Sequence, residues 1–222
     1  MPLIVNADAG KVEKGGAMEG PHFVAFDLET RCMADEVGGW DSLRKGKGGV
    51  SVIAVWDSRD RKVHFYDDHT DGDIVPHTIP VGTLAECIAH LESATIVVGY
   101  NSKGFDAPVI EGLIGRRLAL REHVDLLELI WAAARLHVGG RLRGNKLGHV
   151  AKRTIGRDKI EDGAMAPQLA REGAWDRLFA YCADDTDITR ELFEHVLEHG
   201  GVIDVNGHHL PLSLPSWLGH KE

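Results

Sequence analysis

Four carboxylates and a phenol stand out from the chain by type and spacing. They are Asp27 and Glu29 in FVAFDLET, Asp106 in GYNSKGFDAPVI, and Tyr181 with Asp185 in YCADDTDITRELF. Carboxylate oxygens are hard donors that suit Mg²⁺ or Mn²⁺ and do not suit soft metals. Two residues apart on a strand, Asp27 and Glu29 point to one face. Without a cation they repel each other and raise at least one pKa. Four residues apart on a helix, Tyr181 and Asp185 also share a face. Taken singly, each motif has a plainer reading. Asp-x-Glu suits a solvated strand end, Asp106 suits a helix cap, and Asp185 stands in an acidic run with Asp184 and Asp187.

The elements that must position these residues are legible in the pattern of apolar residues. His22 to Leu28 is β-prone and predicts a buried strand. Residues 31–49, rich in glycine and charge, predict a long loop. Residues 50–56 and 62–66, separated by DSRDR, predict a hairpin. Leu84, Ile88 and Leu91 predict a helix over 81–93, and Thr95 to Val98 a short strand ended by Gly99. A helix follows over 106–115, then a short strand at His123–Asp125 that runs into a helix through Ala134. Short helices are expected over 145–155 and 166–172. The longest helix is expected over 174–199, stopped by Gly200 and Gly201, with a small hairpin around Asn206 and Gly207. This order predicts an α/β fold, a mixed central β-sheet flanked by α-helices.

The 222 residues, 43% hydrophobic and 27% charged, suit one large domain with a real core. Residues 1–20 carry too short an apolar stretch for a signal peptide and are expected to form a flexible N-terminal tail. No apolar run approaches the ~20 residues of a membrane span. Cys32, Cys87 and Cys182 fit no metal or redox spacing, so free thiols and a cytoplasmic location are expected. The formal net charge of −9 excludes a protein that coats nucleic acid by bulk charge. Neither a Walker loop nor G-x-G-x-x-G is present, which argues against ATP or dinucleotide use.

The three motifs, in this order, resemble the DEDD family of 3′–5′ exonucleases in the ribonuclease H-like superfamily, in its tyrosine-bearing (DEDDy) branch. Asp27 and Glu29 match the first motif. Asn101, Phe105 and Asp106 match the second, in which an Asn precedes Phe-Asp. Tyr181 and Asp185 match the third. Ala180 stands five residues before Asp185, where the sister branch has a histidine. The DEVGGW segment and the Tyr-Cys opening of the third motif look like the bacterial and phage domains found beside helicases. Thr186 departs from the valine that often follows the last Asp in those relatives.

The resemblance implies a ribonuclease H-like exonuclease domain over 21–200, with a C-terminal hairpin and tail over 201–222. It implies two ions, Mg²⁺ or Mn²⁺, held by Asp27, Glu29, Asp106 and Asp185, with Asp27 bridging them. Tyr181 would orient the attacking water, and nucleoside 5′-monophosphates would leave a single-stranded DNA or RNA 3′ end. Leu28, Thr30, Asn101 and Phe105, within or beside the motifs, would contact the substrate. A non-catalytic nucleic-acid-binding module and a structure-specific endonuclease are the alternatives on the same fold.

Basic residues crowd one segment. Arg141, Arg143, Lys146, Lys152, Arg153, Arg157 and Lys159 lie in 141–159, where Asp158 is the sole acid. This strip, with Arg143 and Lys146 foremost, is the expected phosphate contact; its plainer reading is a solvated helix face. Arg44, Lys45 and Lys47 form a possible opposite wall. Trp40 suits either stacking on a base or pinning its loop to the core, and pinning is the expectation. His195 and His199 share a helix face near His208 and His209, but a zinc site needs third and fourth ligands in fixed geometry.

Overall fold

A change of character along the first strand sets the architecture. The computed structural model describes residues 21–69, 79–140, 144–159 and 165–218. The expected N-terminal tail, Arg141 and Arg143 lie outside them. Strand β1 (Phe23–Thr30) alternates between two faces, as a strand must. Val24, Phe26 and Leu28 pack with Leu91, Val109 and Ile110 on one side. Phe23 and Ala25 pack with Ile188, Phe193 and Val196 on the other. Asp27 and Glu29 continue that second face past the point where the apolar packing ends.

Strand β1 pairs antiparallel with β2 (Val50–Asp57) and parallel with β5 (Ile96–Gly99). With β3 (Lys62–Asp67), β4 (Val81–Thr83) and β6 (His123–Asp125) it forms a six-stranded mixed sheet in the order β4-β3-β2-β1-β5-β6. The β1–β2 register shifts between Glu29 and Thr30. Irregularities of this kind re-aim side chains beside functional sites. Helices α2 (Leu84–Ser93) and α3 (Asp106–Ile114) supply Leu91, Val109 and Ile110 to one face of the sheet. Helices α4 (Leu126–His137), α5 (Leu147–Ile155) and α7 (Trp175–His199) cover the other. Helix α6 (Ala166–Arg171) packs with the start of α7 over Val52 and Ala54 of β2.

Most expected bounds agree with the observed ones to within two residues, and the differences have local causes. Residues 81–83 pair with β3 instead of opening a helix. Thr83 then caps α2, accepting from the Glu86 amide while the Glu86 carboxylate accepts from the Thr83 amide at 2.7 Å. The long loop contains a 3-10 turn at Ala34–Val37 and a single helical turn, α1 (Trp40–Leu43). Leu43 is the residue that buries there, whereas Trp40 is 60% exposed. The expected C-terminal hairpin forms between β7 (Gly201–Ile203) and β8 (His209–Pro211). It inserts Val202 and Leu210 into the core shared with α7. No helix among the described residues is long and apolar enough to cross a membrane.

Candidate metal centre

Strand β1 and helix α7 run past each other so that their acidic residues meet. Phe23 and Phe193 touch at one end, with ring centroids 5.2 Å apart. Two turns back along α7, Asp185 faces the odd-numbered side of β1. Asp27, Glu29 and Asp185 each offer one oxygen within 4.8 Å of the others. They are the one such trio of potential ligands among the described residues; His195 and His199 merely stack on each other.

Asp106 reaches the same cleft from the sheet's other neighbour. It is the first residue of α3, yet the cap position is taken by Phe105, whose side chain accepts nothing from the free amides. The Asp106 carboxylate instead accepts from the Leu28 amide at 3.2 Å, which ties α3 to β1 between the two acidic residues of that strand. Asp125, at the end of β6, arranges the approach. Its Oδ1 accepts from the amides of Asn101, Leu127 and Glu128, and its Oδ2 from that of Lys103. One buried carboxylate thus caps α4 and holds the turn in which Asn101 takes a left-handed φ of 63°.

Four acids in one cleft perturb one another. Burial raises the pKa of Asp27 well above the usual carboxylate range, and Asp106, Asp185 and Glu29 push it further in that order. Burial and then Asp185 raise Glu29. Burial pushes Asp106 up to about 7 and also raises Asp185. Burial beside these acids drives the Tyr181 hydroxyl far above its ordinary value, so it is protonated at neutral pH. Among the described residues, one cation answers them. Lys159 Nζ lies 2.6 Å from Asp185 Oδ2, donates to the Tyr181 hydroxyl at 2.7 Å, and sits 4.8 Å from the centre of that ring.

The donor set fits a hard divalent cation. Three carboxylates converge, and Asp185 Oδ1 is buried with no hydrogen-bond partner although its sister oxygen holds Lys159. A buried carboxylate oxygen left open in this way is costly unless something binds it. The surrounding cleft measures about 900 Å³, at the upper end of the range typical of small-molecule sites.

The other expected site residues are distributed as follows. Leu28, Thr30, Asn101 and Phe105 line the cleft. The Thr30 hydroxyl is committed to the Cys32 carbonyl at 3.0 Å. Lys146 is exposed before α5 and is not among the lining residues. Among the described residues of the basic strip, three cations are engaged with acids. Lys152 pairs with Asp158, and Arg157 bridges Asp184 and Glu191 of α7. Lys159 turns inward to the acids. Thr186 is accommodated: its hydroxyl donates to the Cys182 carbonyl at 2.9 Å and lies 3.3 Å from that of Ala54. Sequence reasoning missed the inward position of Lys159 and the organising role of Asp125. It also missed Cys182, whose thiol lies against the Asp27 carbonyl.

The fold belongs to a recognisable class. The family model RNase_H_2, of the RNase H superfamily, matches residues 40–197, and the chain belongs to that superfamily. The match begins downstream of β1. Among solved structures, the family B DNA polymerase from the hyperthermophilic archaeon Pyrobaculum calidifontis is similar over 80% of this chain, with a TM-score of 0.57 and 21% identity. The chain spans 24% of that polymerase's length, and at this identity the likeness is one of fold. No curated protein matches the chain.

Proposed function

We propose that the cleft hydrolyses phosphodiester bonds at the 3′ ends of single-stranded nucleic acid, as the tyrosine-bearing DEDD exonucleases do. The observation that carries this reading is the convergence of Asp27, Glu29 and Asp185, with an unpartnered Asp185 oxygen among them. Asp27, Glu29, Asp106 and Asp185 would hold two Mg²⁺ or Mn²⁺ ions. Such a pair, when bound, lowers the pKa of water and offsets charge on the scissile phosphate. Asp27 suits a shared ligand, because Glu29 and Asp185 each offer an oxygen within 4.8 Å of its own and Asp106 is tied to the adjacent Leu28 amide. Tyr181 keeps its proton and sits beside Glu29 and Asp185, so its hydroxyl orients a water and does not act as a base. Asn101 and Phe105 line the route by which a chain end enters. DNA and RNA ends both fit this chemistry, and the released unit is a nucleoside 5′-monophosphate.

A 5′-labelled oligonucleotide with Mg²⁺ or Mn²⁺ tests the proposal. A ladder shortening from the 3′ end and abolished by chelator is expected. Internal cuts in a circular strand would assign an endonuclease instead. Lys159 favours one further reading: by pairing with Asp185 it partly neutralises the site internally, as a non-catalytic binding module would require. Binding without any chelator-sensitive shortening would establish that module and refute hydrolysis.

A further inference from the structure

The cleft contains one large side chain that the carboxylate chemistry leaves unused. Trp40 lines the same space as Asp27, Glu29 and Asp185, and most of its surface faces water. Burying an indole is strongly favourable, so an open one gains nothing for folding. Trp40 is nevertheless fixed. Leu43 anchors its helical turn in the interior. Arg44 Nε donates to the Gly104 carbonyl at 2.8 Å, linking that turn to the one before α3. The following loop lies directly on α3: a Cβ on Gly112 would fall 2.6 Å from the Gly46 amide nitrogen. Phe105 braces the indole edge-on, with ring centroids 5.9 Å apart and planes at 75°.

We infer that Trp40 is the stacking platform for an unpaired nucleobase at the entering 3′ end, with Phe105 holding the indole in position. The inference rests on the reading of the cleft as a nucleic-acid site. A π-face accepts every base, so the contact is indifferent to sequence. It requires a base free of its partner strand, so it selects frayed or single-stranded ends over paired ones. Ring and carboxylates line one cleft, so the base that stacks and the phosphate that reacts belong to one bound strand end.

The test compares two fluorescein-labelled DNA decamers on the full chain, one intact and one abasic at its 3′-terminal nucleotides. Binding is read by anisotropy with Ca²⁺ in place of Mg²⁺, and electrophoresis confirms that the strands stay whole. Stacking predicts that the parent binds the abasic strand roughly 5- to 150-fold more weakly. Trp40→Ala should bind both strands equally and weakly, and Trp40→Phe should recover most of the preference. Equal weakening of both strands by Trp40→Ala, with the preference kept, would assign Trp40 to bracing its loop and overturn the inference. A parent that does not discriminate between the strands, yet shortens the intact one with Mg²⁺, would refute stacking alone. A parent that neither binds nor shortens either strand would refute the nuclease reading as well.

Discussion

Replacing Lys159 with methionine isolates the charge of a cation that the acidic cluster holds internally. The substitution keeps length and apolar stem and removes the charge. In the metal-free protein it leaves Asp185, Asp27 and Glu29 facing one another without compensation. Breaking a fully buried pair costs about 3–5 kcal/mol and an exposed one less than about 1. The Lys159 side chain is 23% exposed and that of Asp185 6%, so about 2–3 kcal/mol is expected. For a domain of this size that lowers Tm by about 4–12 °C. Saturating Mn²⁺ should remove nearly all of the difference, because the ion then answers the same carboxylates. Linkage requires that what the metal-free state loses and the loaded state keeps reappear as tighter binding. Mn²⁺ affinity should therefore rise roughly 30- to 150-fold. Scanning calorimetry with chelator and with Mn²⁺, beside a calorimetric Mn²⁺ titration, measures both sides of this cycle. An equal Tm loss in the two conditions, with unchanged affinity, would show that Lys159 only packs and that the cluster has no use for its charge.

Further expectations concern the acids and their neighbours. Asp27→Asn and Asp185→Asn should each lower oligonucleotide hydrolysis by more than about 100-fold, beyond the loss typical of an outer-shell partner, with the circular dichroism spectrum unchanged. Tyr181→Phe should slow hydrolysis less than either, since all four carboxylates survive; a loss equal to that of Asp27→Asn would contradict a positioning role. Without metal, the contribution of the acids to stability should fall as pH rises from about 4 to about 7, against the opposite contribution of His123, which burial lowers to about 4. A carboxyl whose folded pKa is raised binds more protons folded than unfolded in that window, so the slope is negative. The rise of Asp106 to about 7 alone corresponds to about 4 kcal/mol. Urea denaturation of the parent and of Asp106→Asn in chelator at several pH values isolates the Asp106 contribution, and parallel profiles would count against it. Thr186→Val should cost about 1 kcal/mol through its lost hydrogen bonds while leaving kcat unchanged.

Much of the site was legible because local periodicity carries it. Asp27 and Glu29 declare a shared face by strand spacing, and Tyr181 and Asp185 by helical spacing. What was not legible depends on how distant segments fold over one another. Lys159 reads as one more member of a basic strip, and no local signal shows that residues 156–159 turn back across α7. Asp106 reads as a helix cap, yet the amide it serves belongs to Leu28, 78 positions away. Residues 81–83 read as helix because the partner strand that claims them is remote in sequence. Trp40 was expected to pin its loop. Leu43 and Arg44 do that, which leaves the indole free for the cleft.

The meeting of β1 with α7 also governs when the centre comes into being. Asp27 lies on the first strand and Cys182, which touches it, follows 155 positions later on the last long helix. Contacts of such span form late, after the intervening chain has been ordered. During synthesis the nascent chain therefore carries Asp27, Glu29 and Asp106 long before Asp185 leaves the ribosome. The three-carboxylate cluster is withheld until α7 has been made and has packed on β1.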